Sequence, residues 1–148
     1  MLAEHTPRPV RLSRMRRFFM TNSIHQEVTI KASARKVFDA LTDATQFSAF
    51  SGGAPAEIDA KPGGGFSCFG GHIIGRNIEL VPGKRVVQAW RSAKWDEGVY
   101  SIARFELREE GGSTTIVFDQ AGFPEQAGPH LEGGWIKMYW EPLKTYLA

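Results

Sequence analysis

Residues 63–98 read GGGFSCFGGHIIGRNIELVPGKRVVQAWRSAKWDEG. Short β-prone runs alternate here with turn signals. Gly70-Gly71 is expected as a two-residue pivot, because paired glycines tolerate the positive φ of a tight hairpin. Pro82-Gly83 is expected as a second pivot, proline setting φ at the first central turn position and glycine supplying positive φ at the next. A chain that reverses twice in so short a span must pair its neighbouring strands antiparallel. The stretch is therefore a meander.

Outward from it, six strands are expected from Ala56 to Gln120, at about 56–60, 65–69, 72–80, 84–91, 98–108 and 114–120. In the fifth, Val99, Ser101, Ala103, Phe105 and Leu107 alternate with Tyr100, Ile102, Arg104 and Glu106. This period of two marks one buried and one wet face. Glu109 to Gly112 is expected as a polar turn, and Gly75 as a bulge that bends the sheet. Upstream, Ile24, Val28 and Ile30 form a first strand. Ser33 caps a helix over about 34–41, and Asp43 with Gln46 opens a second short helix that Ser51-Gly52-Gly53 ends. Downstream, Trp135, Met138, Tyr139, Leu143 and Tyr146 recur at helical spacing. Gly128-Pro129 is its expected start, and Pro142 is expected to kink or break it between Met138 and Pro142.

The order is one strand, two short helices, six strands and a long helix. A sheet wet on one face must cover the other, and the last helix is the long apolar element available. The expected class is α+β, a helix-grip in which a curved antiparallel sheet of about seven strands wraps the C-terminal helix, leaving a cavity between them.

The 148 residues fit one domain with a substantial core. No window approaches the roughly 18 consecutive apolar residues of a membrane helix. The single cysteine, Cys68, excludes a disulfide framework or a multi-cysteine zinc site, and is expected as a small, partly buried hydrophobe. The net charge of +2 divides unevenly. Residues 1–22 hold Arg8, Arg11, Arg14, Arg16 and Arg17 against Glu4, whereas residues 23–148 carry 13 basic and 15 acidic side chains. The domain is thus mildly acidic, which argues against a nucleic-acid surface. The basic arm, 1–22, has three readings: an organellar transit segment with Leu12, Met15 and Phe19 on one helical face, an extension upstream of a start at Met20, or a disordered arm touching an acidic partner. The domain proper is 23–148. Its expected location is cytoplasmic, or organellar if the arm is a transit segment.

Phosphate-binding fingerprints are absent, since the glycines at 63–65 and 70–71 serve turns. His5, His25, His72 and His130 lack metal-ligand spacing, and no nucleophile elbow occurs. No cofactor, metal or catalytic residue is expected. A buried, pKa-shifted carboxylate would be the enzymatic alternative, and Glu57, Asp59, Glu79 and Glu106 read more simply as solvated. The aromatic residues are core or the walls of a ligand cavity. The candidate cavity set is Phe66, Gln88, Trp90, Trp95, Tyr100, Trp135 and Tyr139, with Gln120 and Arg91 as further polar groups and Trp140 as a further aromatic one.

An ordered series completes the reading: Phe50, Gly64-Gly65-Phe66, the Gly71 to Gly75 hairpin, Asn77-x-Glu79-Leu80-Val81-Pro82-Gly83, Trp90-Arg91, Trp95-x-x-Gly98 and Gly134-Trp135-x-x-x-Tyr139-Trp140. Over about 24–147 it resembles the C-terminal domain of the activator of heat-shock protein 90 ATPase, within the START-like SRPBCC superfamily. The resemblance implies a helix-grip fold and a non-enzymatic binding role in chaperone function and stress response. The partner it implies is a heat-shock protein 90 type chaperone; the aromatic set and the fold suggest a small hydrophobic ligand instead, the charge and hydropathy argue against nucleic acid and membrane, and a monomer or homodimer is expected. The family's full-length activator has an additional N-terminal domain that makes the principal chaperone contact, and residues 1–22 are too short to supply it. A polyketide-cyclase-like or hydrolase-like enzyme is the remaining alternative within the superfamily.

Overall fold

The computed structural model describes residues 22–148, so all of the 1–22 arm but Asn22 lies outside the described residues. The chain opens with β1 (Ser23–Ile30), then α1 (Ala34–Thr42) and α2 (Ala44–Phe50). The meander follows as β2 (Glu57–Ile58), β3 (Gly65–Cys68), β4 (Ile73–Val81), β5 (Arg85–Ser92), β6 (Ser101–Glu110) and β7 (Ser113–Ala121). These make one antiparallel sheet in the order β1-β7-β6-β5-β4-β3-β2. The last helix runs without interruption through α3 (Gly128–Gly134), a π-helical segment (Trp135–Trp140) and α4 (Glu141–Leu147). The helix-grip expectation holds. No helix among the described residues is long and apolar enough to cross a membrane.

Local chemistry sets most element ends. The Ser33 hydroxyl accepts from the Lys36 N–H at 3.2 Å, and the Asp43 carboxylate from the Gln46 N–H at 3.0 Å. Each satisfies an orphan donor of a first helical turn. Gly111 and Gly112, with φ of 61° and 83°, close the two-residue turn between β6 and β7, where a left-handed pair matches the strands' twist. The Val81 carbonyl accepts from the Lys84 N–H at 2.8 Å, with Gly83 at φ 72°. Pro82-Gly83 is thus the expected turn.

Five expectations need correction. β2 is two residues long, far shorter than 56–60, and β6 begins at Ser101, because 93–100 form a loop. Gly70-Gly71 is no two-residue hairpin: Phe69–Gly71 form a 3-10 turn with Phe69 itself at φ 55°. That conformation is costly for a bulky residue, and ring contacts from Phe69 to Phe47 and Tyr139, at 5.5 Å and 5.4 Å, compensate it. Gly75 sits in regular register opposite Phe66 and Trp90, and the bulge falls instead between Asn77 and Glu79. A Cβ at Gly75 would collide with the Ala89 carbonyl and lie 2.7 Å from the Phe66 ring. The glycine admits that ring over the strand.

The fifth correction concerns the last helix. Pro142 does not break it. The Glu141 N–H bonds the Ile136 carbonyl, five residues back, so the wider π turn precedes the proline. The wider turn also changes which side chains face the sheet. Consecutive Tyr139 and Trp140 are both buried, whereas Met138 and Tyr146, expected inward, are 47% and 40% exposed. Against the helix, β5–β7 present Val86, Trp90, Ala103, Phe105, Ile116 and Phe118, all buried. Trp135 packs 4.1 Å from the Phe118 ring and 5.2 Å from that of Trp90.

Candidate functional site

Between the π segment and one end of the sheet lies a cleft of about 430 Å³. Trp90 and Trp95 form one side, Leu131, Trp135 and Met138 the helical side, and Phe69 and Tyr139 contribute from the interior. His72, Ser92, Lys94 and His130 add polar groups to the lining. The size and aromatic character match small-molecule sites generally.

Of the expected cavity residues, Trp90, Trp95, Trp135 and Tyr139 line this cleft. Phe66 is buried over Gly75, and Gln88 donates to the Asn77 amide oxygen at 3.2 Å. Asn77 in turn donates to the Asp59 carbonyl at 3.1 Å, anchoring the loop before β3. Tyr100 lies away from the cleft, 47% exposed, with the Arg91 guanidinium 5.7 Å from its ring centroid. These three do not line the cleft.

The other expected polar groups serve the fold. Arg91 donates from Nε to the Val99 carbonyl at 3.1 Å and from Nη2 to the carbonyls of Trp95 and Asp96. It thereby holds the loop that carries Lys94 and Trp95 to the cleft, with Trp95 edge-on to Trp90 at 5.8 Å. Gln120 is the middle of a buried relay. The Trp135 indole N–H donates to its Oε1 at 2.7 Å, its Nε2 donates to Ser101 Oγ at 3.0 Å, and Ser101 donates to the Trp90 carbonyl at 2.7 Å. One chain of bonds thus ties the helix to β7, β6 and β5. A satisfied network of this kind fixes a single packing, because each group would be costly to leave unpaired in the core.

Burial also governs the titratable groups. Desolvation pushes the Cys68 thiol up to about 12, so at neutral pH it is an inert core group. Tyr139 is raised as well, chiefly by burial and further by Cys68, while the hydrogen bond from the Trp90 indole, at 3.3 Å, opposes the shift. Among the described residues no cluster of three or more metal-ligating side chains occurs. Ser92 Oγ accepts from the Lys94 N–H at 3.2 Å, and no hydrogen bond joins it to His72 or His130 among the described residues.

His72, Lys94, His130, Leu131 and Met138 are cleft residues that the sequence reading did not single out. Ala127, Leu131, Gly134, Trp135 and Met138 recur at intervals of three and four, so extending the helical pattern upstream would have found that wall. Lys94 carried no signal beyond its place beside Trp95.

A curved antiparallel sheet gripping a C-terminal helix, with a cleft between them, defines a helix-grip protein of the SRPBCC class. Within that class the chain belongs to the family described as Activator of Hsp90 ATPase homolog 1-like protein, whose family model matches residues 31–148. The activator of 90 kDa heat shock protein ATPase homolog 1 of Homo sapiens is 28% identical over 124 residues, 84% of this chain and 36% of that protein. An uncharacterized protein of Schizosaccharomyces pombe is 29% identical over 133 residues, 90% of this chain and 39% of its own length. The chain therefore spans less than two fifths of either curated relative. Among solved structures, an HSP90 activator from Plasmodium falciparum superposes with a TM-score of 0.81 at 25% identity, covering 85% of this chain and 96% of that one.

Proposed function

We propose that this protein is a non-enzymatic binding module that engages a chaperone of the Hsp90 type and modulates its ATPase. The observation that carries the reading is the superposition with the Plasmodium falciparum HSP90 activator, 96% of which this fold accounts for. A chain of this size with this architecture therefore bears that description elsewhere. The family match over residues 31–148 supports the same reading. It entails residence in a compartment that holds such a chaperone, expected to be the cytoplasm, and a role in stress response. The test is a pull-down of the full chain with the Hsp90-type chaperone of its own organism, together with the chaperone's ATP turnover. Retention and a changed turnover are expected. No retention with unchanged turnover rejects the proposal.

A second reading, compatible with the first, is favoured by the cleft: the protein binds a small hydrophobic ligand there. Trp90, Trp135 and Tyr139 pack against one another, with Trp135 and Tyr139 ring centres 4.2 Å apart, yet leave about 430 Å³ at their edge. Titration with a naphthalene ester, read by indole fluorescence, tests this. Saturable quenching supports it, and a flat titration rejects it.

A further inference from the structure

We propose that the cleft selects planar aromatic monocarboxylates, the aromatic body lying among Trp90, Trp95 and Trp135 and the carboxylate facing Lys94. The inference rests on the second reading above and names its ligand class.

The polar lining is one-sided. Among the described residues, Lys94 is the one lysine or arginine of the lining, no aspartate or glutamate lines the cleft, and Lys94 makes no ion pair. His72 and His130 add ring nitrogens that can donate. One buried residue of the lining also has an unused donor. Tyr139 is 5% exposed, and its hydroxyl accepts from the Trp90 indole without donating to any acceptor among the described residues. The Trp95 indole N–H likewise has no acceptor among them. A buried O–H without an acceptor is costly, and a ligand oxygen would relieve that cost.

Donors in excess, a cation and no carboxylate call for a ligand that brings acceptors and negative charge. Indole walls call for a flat apolar body. A neutral hydrocarbon would leave the donors unmet, and a cationic ligand would meet Lys94 with like charge.

The test compares 2-naphthoate with its methyl ester on the full chain, by quenching of indole fluorescence. Both are expected to bind, the acid about tenfold more tightly, as one charge-assisted hydrogen bond allows. Lys94→Gln, at an exposed position, is expected to remove most of the acid's advantage over the ester. Tyr139→Phe is expected to weaken the acid while Lys94 still favours it over the ester. Equal binding of acid and ester by the natural protein overturns this inference and leaves the hydrophobic-ligand reading standing. Binding of neither overturns both.

Discussion

Replacing Gln120 with leucine keeps the side chain's bulk and removes the middle of the relay from Trp135 to Trp90. The Trp135 indole N–H then has no acceptor in a fully buried position, at a cost of about 1–3 kcal/mol. Ser101 loses an incoming bond but keeps its own to the Trp90 carbonyl, so little is added there. Trp135→Phe strands the Gln120 amide oxygen at a similar cost. It also loses indole contacts with Phe118 and Tyr139, for a total of about 2–4 kcal/mol. The double variant leaves neither the indole donor nor the amide acceptor stranded. Its destabilisation is expected to fall short of the sum of the singles by at least about 2 kcal/mol, the two stranding costs together. Urea unfolding followed by circular dichroism, with linear extrapolation, measures all four proteins. Additivity to within about 0.5 kcal/mol would refute the relay as a coupled unit.

Three further outcomes are expected. Gly75→Ala should cost at least about 2 kcal/mol in the same assay, since its methyl meets a carbonyl and the Phe66 ring; a neutral change would mean that the strand shifts freely. Cys68 should resist a disulfide exchange reagent at pH 8 in the native state and react promptly in urea, because its thiol is held near 12 by burial; rapid native labelling would contradict that burial. His25 hydrogen-bonds Asp119 at 2.7 Å and Glu27 at 3.0 Å, and these bonds raise its pKa above the ordinary histidine value. The resulting stabilisation is fully present below about pH 6.5, the unfolded value, and disappears as pH rises through the folded pKa. An NMR titration of His25 should show this elevation and its reduction in Asp119→Asn; a pKa unmoved by that substitution would contradict the pairing.

What could be read from the residues follows from how local each cause is. Ser33 and Asp43 cap helices through groups three residues away, and the alternation of Ser101, Ala103, Phe105 and Leu107 records burial directly. The architecture was legible for that reason, as was the family. The same alternation already set Tyr100 with Ile102 on the outer face, where both are found exposed, so its inclusion among cavity residues ran against the parity. Other features depend on distant partners. Gly75 reads as a bulge until Phe66 is known to lie over it. Pro142 reads as a break until the π turn before it is seen, and that turn brings Tyr139 and Trp140 inward together. Gln88 and Gln120 look available to a ligand because the sequence does not show that Asn77 and Trp135 engage them. Four aromatic walls of the cleft could be named in advance. Its donor side could not, because Lys94, His72 and His130 come from separate elements.

Engagement of an Hsp90-type chaperone is the function proposed. Its most direct test is the steady-state ATP turnover of that chaperone as the full chain is titrated in, with the chaperone's own specific inhibitor defining the background. A saturable change in turnover that tracks binding measured on the same samples is expected. A flat response across a range reaching well above the chaperone concentration, with no complex detected, would contradict it.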